Sequence, residues 1–528
     1  MSEATMENER LLKTVQTTFK LSGLNINRKC CLHLARQLRN INEAEHSNWI
    51  CRIVEHVLAQ DLVDPCVSVD HLKVALKECF RPSNSFHETE TILNVLDGFR
   101  VPKIKYDVTN KKFVVEQSVP DLFSDPVNKS LLMKERLELL WHRTMQNELF
   151  APVKFGEVDT VRVKLRQIEY LLSLSEVKDV YVIGMLAQLT ERQYYLEDIS
   201  GYVKIDLSKA DYQAHLITEG CVVLVRGDYE DRVLVVKTIG FPPCETSAES
   251  HARFGTANTF GGHHPVSLKT SEKLKLFEEN NPEEIIVFIS ELWVDDQIVL
   301  EKFKLMLEEF SNFPPAAFVI CGNFLSFPPN VTSSQKLKEG FKRLADIVSG
   351  YPEIVQNSKF VLVPGPHDPG APKIFPRAPL SGYIVEEFVK AIPKTVLATN
   401  PCRIQYCTKE IVVFREDILT KLCRNTLYLP DDADIPKDYA KSIISQSHLT
   451  PMALPTVPIY WKHDQALQLY PTPDLIVVAD QFEPYNTEYN ECFVVNPGVF
   501  SKNDFPFKVY IPGENKIEDS EMEREDQS

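Results

Sequence analysis

No two of the twelve cysteines in this 528-residue chain stand in a Cys-x-x-Cys spacing, and the Cys402 to Cys407 interval lacks the second half that a structural zinc signature needs. Several cysteines instead fall inside apolar runs, Val319-Ile320-Cys321 and Cys492-Phe493-Val494, where a thiol serves as a small buried hydrophobe. No segment approaches the roughly 20 apolar residues that cross a bilayer, and no apolar stretch flanked by basic residues opens the chain. A soluble intracellular protein without a membrane partner is expected. Positive charge is also scarce: the formal net charge of −16 opposes loose attraction to phosphate backbones, which rests on Lys and Arg displacing counterions. The clusters Arg28-Lys29 and Lys111-Lys112 are too short for a nuclear address.

What is present is the composition of ordinary folded protein, 44% hydrophobic and 25% charged. At roughly 150 residues per domain the length suggests about three domains. From Glu7 to Phe99 apolar residues recur at helical spacing (Leu11, Leu12, Val15, Phe19; Trp49, Ile50, Ile53, Val54, Val57), which predicts an all-helical module over 1–100. Its last helix, through Ile92, Val95, Leu96 and Phe99, is expected to start at a capping box of Ser85 and Glu88. A connecting segment over 101–156 carries a hairpin near Thr109-Asn110 and a helix from Leu131 to Gln146.

The period then changes to that of strands over 157–245: Val180-Tyr-Val-Ile-Gly184, Tyr194-Tyr-Leu-Glu197, Tyr202-Val-Lys-Ile-Asp206, Val222-Val-Leu-Val225 and Val233-Leu-Val-Val236. Five strands suit a small barrel, and the run around Ser200-Gly201 resembles the centre of an OB-fold. Tyr194, Tyr195 and Tyr202 could stack single-stranded bases. Residues 161–240, however, hold ten Lys or Arg against twelve Asp or Glu, so the electrostatic funnel for autonomous strand binding is missing.

A linker and helix over 246–283 lead into a strand, helix, strand rhythm over 284–512: Ile285–Ile289, a helix through Phe310, Ala317–Ile320, a helix near Lys336 to Ser349, and Phe360–Val363. Uniformly apolar strands alternating with amphipathic helices predict an α/β layered domain whose sites form at strand ends. The acidic stretch from Glu514, within 513–528, reads as a disordered tail.

At the strand ends stand Ile289-Ser-Glu-Leu-Trp293, Cys321-Gly-Asn-Phe324, Pro364-Gly-Pro-His-Asp368, Ser447-His448 and Ala479-Asp-Gln-Phe482. Their order and spacing resemble the five motifs of calcineurin-like phosphoesterases, which read Asp-x-His, Gly-Asp, Gly-Asn-His-Asp/Glu, a lone His, and Gly-His-x-His. The resemblance implies a two-metal site with a bridging carboxylate and several imidazoles. Here the bridging position is Asn323, imidazole positions are Trp293 and Phe482, the ligand Asn is Pro366, and Asp480 replaces the penultimate His. Glu291, His367, Asp368 and His448 remain, with His367 in the family's proton-donor position. No catalytic residue, metal or cofactor is therefore expected; the competing reading is a phosphoesterase or 3′–5′ exonuclease on an altered metal set.

An OB-fold joined to such a degenerate domain resembles the B-subunits of the replicative DNA polymerases. Asn400-Pro-Cys-Arg-Ile-Gln-Tyr-Cys407, Val413-Phe-Arg-Glu-Asp417, Ser445-Gln-Ser-His-Leu-Thr-Pro451 and the leading helices are most similar to the epsilon branch. That resemblance implies a nuclear accessory subunit. Its partners would be the zinc-bearing C-terminal domain of the polymerase epsilon catalytic subunit, the replicative helicase complex through the N-terminal helices, small histone-fold subunits of the same complex, and DNA mainly through the complex.

Overall fold

The computed structural model describes residues 3–38, 49–50, 53–54, 57–58, 66–69, 71–73, 75, 92–116, 121–151, 162–370, 373–502 and 504–522. The chain divides into two units, Met1–Glu90 and Thr91–Ser528. In the first, the helices Glu3–Leu21 and Arg28–Leu38 bury Val15, Phe19, Cys30, Cys31 and Leu34 with Ile50, Ile53, Val54 and Val57. The Asn27 side chain accepts the Cys30 N–H at 2.8 Å, a cap that starts the second helix. A short parallel pair, Asn25–Ile26 with Cys66–Val67, is an addition to the all-helical expectation.

The Ser85 and Glu88 capping box lies outside the described residues, and the helix expected over Ile92–Phe99 is a strand, Leu93–Asp97, followed by a 3-10 turn, Gly98–Arg100. It belongs to the second unit, where it pairs antiparallel with Cys402–Tyr406. Leu93 and Val95 face one core and Leu96 another, so both sides of the strand are apolar and its period of two is hidden.

Five strands close the expected barrel: Glu176–Thr190, Gln193–Glu197, Tyr202–Asp206, Val222–Glu230 and Val233–Gly240. Neighbours pair antiparallel, and Val233–Val235 meets Lys204–Asp206 in parallel to complete the ring. Val182, Leu196, Val203, Val223, Val225 and Val236 fill its interior.

The segment expected as a mere connection is an integral part of the unit. Its hairpin, Lys103–Asp107 with Lys112–Glu116, is tightened by Asp107, which accepts the Thr109 and Asn110 N–H groups. Its helix, Val127–Thr144, packs in three directions. Leu137 and Leu140 lie on Ile183, Met185 and Val222 of the barrel; Leu132 enters the core of the layered domain; Leu139 joins Ile104 and Phe113 of the hairpin.

The layered domain holds two six-stranded sheets. One contains the parallel strands Ile286–Ser290, Ala317–Cys321, Lys359–Val363 and Thr395–Leu397; the other contains Cys402–Tyr406, Lys409–Arg415, Leu475–Ala479 and Cys492–Asn496. Phe288, Val319, Val361, Ile404, Val413 and Val477 form the core between the sheets. The outer face of the first sheet is covered by the helices Gln297–Phe310, Ser333–Ser349 and Gly382–Ala391, that of the second by Ile418–Asn425 and Ile435–Ser445. The central strands are thus covered on both faces, as their apolar runs predict, with one cover being the opposite sheet. The tail also departs from expectation: Lys516–Ser520 is an edge strand on Phe507–Ile511, with Ile517 and Met522 buried.

Candidate functional site: a layered cleft with its ligands turned inward

Four of the five motif segments come together at the C-terminal ends of strands from both sheets; the fifth, Ser447-His448, follows the Ile435–Ser445 helix and lies with Arg136 and Asp464 instead. Glu291 follows Ile286–Ser290 and Gly322-Asn323 follow Ala317–Cys321, while Arg415 and Ala479 end their own strands. The loops approach so closely that Gly322 and Gly365 must be glycine. A Cβ on Gly322 would overlap Asp368 Oδ2, and one on Gly365 would lie 2.6 Å from Asn323 Oδ1.

Glu291 is only 2% exposed and both of its carboxylate oxygens are taken by donors. Asn323 Nδ2 donates to Oε1 at 2.7 Å and Trp293 Nε1 donates to Oε2 at 2.9 Å. The Arg415 guanidinium also donates to Oε1. Asn323 is satisfied on its other side, because its Oδ1 accepts the His367 backbone N–H at 2.8 Å. A carboxylate at position 323 would instead set its charge against that of Glu291.

Asp368 turns its carboxyl inward, where Phe324 N–H donates at 2.9 Å and Gly365 N–H at 2.8 Å. Burial, reinforced by the charge of Glu291, pushes this carboxyl up to about 6 against those hydrogen bonds. Pro366 is buried, whereas the His367 ring is exposed at the mouth of the cleft; partial burial and Lys373 beside it push its imidazole below the ordinary value.

His448 is engaged at both ring nitrogens. Thr450 N–H donates to Nδ1 at 3.0 Å, so the neutral ring carries its proton on Nε2, which faces Asp464 Oδ1 at 3.2 Å. Arg136, from the Val127–Thr144 helix, grips Asp464 with Nε at 2.9 Å and lies 2.9 Å from the same imidazole nitrogen. Burial and then Arg136 push the His448 imidazole down. Burial raises the Asp464 carboxyl, but Arg136 and His448 together outweigh it and hold it well below the usual carboxylate range. Two turns later Arg143 donates to Ser445 O at 2.6 Å and to Ser447 Oγ, fixing the loop that carries His448.

Asp480 caps the Ile418–Asn425 helix: its Oδ2 accepts Ile418 N–H at 2.6 Å and Leu419 N–H at 3.0 Å, and its Oδ1 accepts Phe482 N–H at 2.9 Å. The Phe482 ring packs into the neighbouring core.

This donor set does not fit a two-metal centre. Such a centre needs free lone pairs, and the oxygens of Glu291, Asp368 and Asp480 and both nitrogens of His448 are directed at N–H donors or a carboxylate of the protein. Among the described residues no group of three or more His, Cys, Asp or Glu is placed to hold a metal ion. The two arginines that organise these groups, Arg136 and Arg415, are not among the phosphoesterase motif positions, although Arg415 lies within the Val413-Phe-Arg-Glu-Asp417 segment that resembles the epsilon branch. Arg415 does carry a signal, as an arginine closing the apolar run Ile411-Val-Val-Phe at a strand end. Arg136 lies on an amphipathic helix and gives no such signal.

On the barrel, Tyr202 is 60% exposed and meets Tyr195 edge-to-face with centroids 6.1 Å apart. Arg226 and Lys237 are paired with Asp179 and Asp228, which removes two cations from an already acidic domain.

Three family models match the chain: DNA polymerases epsilon N terminal over residues 7–79, the OB-fold domain of DNA polymerase epsilon subunit 2-like proteins over 126–243, and the B-subunit of DNA polymerases alpha and epsilon over 286–487. DNA polymerase epsilon subunit 2 of Bos taurus is 42% identical over 98% of this chain and 100% of its own length, and that of Homo sapiens likewise. The chain belongs to the DNA polymerase epsilon subunit 2 family. The Drosophila melanogaster member is 39% identical over 97% of this chain and 98% of its own length. Membership makes the chain a non-catalytic B-subunit, an accessory component of a replicative polymerase. A solved archaeal phosphodiesterase is 10% identical over 45% of this chain and 99% of its own, with a TM-score of 0.26. No helix among the described residues is long and apolar enough to cross a membrane.

Proposed function

We propose that this epsilon-family B-subunit acts in the nucleus as a scaffold that binds the zinc-bearing C-terminal domain of the polymerase epsilon catalytic subunit. The OB-fold and layered domain serve as the binding body, and the leading helices dock the assembly to the replicative helicase. The small histone-fold subunits join the same complex, and DNA is met mainly through it. The degenerate positions Glu291, Trp293, Asn323, Pro366, Asp368, His448, Asp480 and Phe482 act as packing and capping residues, and His367 stands exposed beside them. The observation that carries this reading is that ligand atoms at these positions are turned toward donors of the protein itself, in a chain whose relatives match over nearly its whole length.

Affinity purification of the tagged full-length chain from nuclei tests it. The expected result is co-purification of the polymerase epsilon catalytic chain at near-equal amounts. Recovery of a free monomer, or a manganese-dependent nuclease activity abolished by His448→Ala, would replace this reading with that of an active phosphoesterase.

A further inference from the structure

The frame of the layered domain brings acidic and carbonyl groups from four strand ends to one point. A positive charge must stand there if those ends are to stay together. We propose that the Arg415 guanidinium is the resident cation of the cleft, doing for the two sheets what a bound metal pair would otherwise do. Its Nε donates to Gly322 O, its Nη1 to Asp417 Oδ1 at 2.9 Å and Ala479 O at 3.0 Å, and its Nη2 to Glu291 Oε1. Glu291 and Gly322 close strands of one sheet, and Arg415 and Ala479 close strands of the other. The side chain is 0% exposed.

A buried guanidinium is tolerated only when paired and hydrogen-bonded, and here every nitrogen has a partner. Burial works against its charge, while Asp417 and Glu291 outweigh burial and hold it protonated. Asn323 is the chemical complement of this arrangement. One guanidinium faces two carboxylates, and an amide at the bridging position adds a donor to Glu291 without adding a third negative charge.

The inference rests on the non-catalytic reading of the same cleft, and the test separates the two. The unfolding midpoint of the purified full-length chain is measured with EDTA and with excess MnCl2. The wild type is expected to be indifferent to both. Arg415→Met is expected to lower the midpoint by about 5–10 °C without rescue by Mn2+. Adding Glu291→Gln to it should recover part of the loss by removing the stranded carboxylate. Asn323→Asp, nearly isosteric and able to report even if Arg415→Met does not fold, should lower the midpoint and gain no stabilisation from Mn2+ while Arg415 is present. Wild-type stability in Arg415→Met, no recovery in the double variant, or Mn2+ stabilisation of Asn323→Asp would each overturn the role given to Arg415. Mn2+ stabilisation of the wild type together with manganese-dependent nuclease activity would overturn the non-catalytic reading as well.

Discussion

Two nests of buried charge lie in the layered domain, one at strand ends and one between the Val127–Thr144 helix and the loops that carry His448 and Asp464, and each is closed by an arginine of different origin. Arg415 belongs to a strand of the domain and reaches Glu291 within it. Arg136 comes from a helix that precedes the barrel, 328 residues from its partner Asp464. The first nest is therefore a property of the layered domain, while the second exists only because the barrel and the layered domain share a helix. Glu291 and His448, both read from the sequence as altered phosphoesterase positions, thus stand in two separate structural settings, one holding sheets together and one joining domains.

Arg136→Ala should have the largest effect on that contrast. It leaves the Asp464 carboxylate buried beside a neutral imidazole, at an expected loss of about 3–5 kcal/mol in urea unfolding. A loss under about 1 kcal/mol would remove the distinction between the two nests. Arg143→Met should follow at about 2–3 kcal/mol, because Ser445 O and its neighbours lose a charged donor.

The acid limb gives the next largest signal. Asp464 is held below its unfolded value, so its contribution is present above the ordinary carboxylate pKa of about 3.9 and is lost as pH falls toward the depressed one. Asp464→Asn should flatten the pH dependence of stability in acid by on the order of 2 kcal/mol, measured by urea titrations at successive pH values. The smallest effect belongs to the barrel face: Tyr202→Ala, at an exposed site, should change stability by less than about 0.5 kcal/mol.

The barrel strands are legible in the sequence because they alternate inward and outward, and the central strands of the layered domain because uninterrupted apolar runs stand between amphipathic helices. Leu93–Asp97 reads as a helix because its two faces meet two different cores, which imitates helical spacing. Lys516–Ser520 reads as a tail because an edge strand tolerates charge on its wet side; only Ile517 faces inward, and Lys508 pairs with Asp519 across the strands. The strand ends that carry Glu291, Asn323 and Asp480 can be located from sequence, but the partners of those side chains cannot. Arg136 approaches His448 across 312 residues, a proximity that no local pattern encodes.

The Val127–Thr144 helix also has a consequence for the order of events during synthesis. When the barrel has left the ribosome, this helix has its apolar contacts to Ile183, Met185 and Val222, and Glu245 soon follows to pair with Arg143, but Asp464 for Arg136 and the carbonyl and hydroxyl acceptors of Arg143 have not yet been made. Those acceptors lie between Ile444 and Asp464, beyond most of the first sheet. The helix waits, docked on one side and with Arg136 unanswered on the other, until the last third of the chain arrives. Completion of this unit is thus a late step, and a chain halted before Asp464 would expose the helix face to folding catalysts and to proteases.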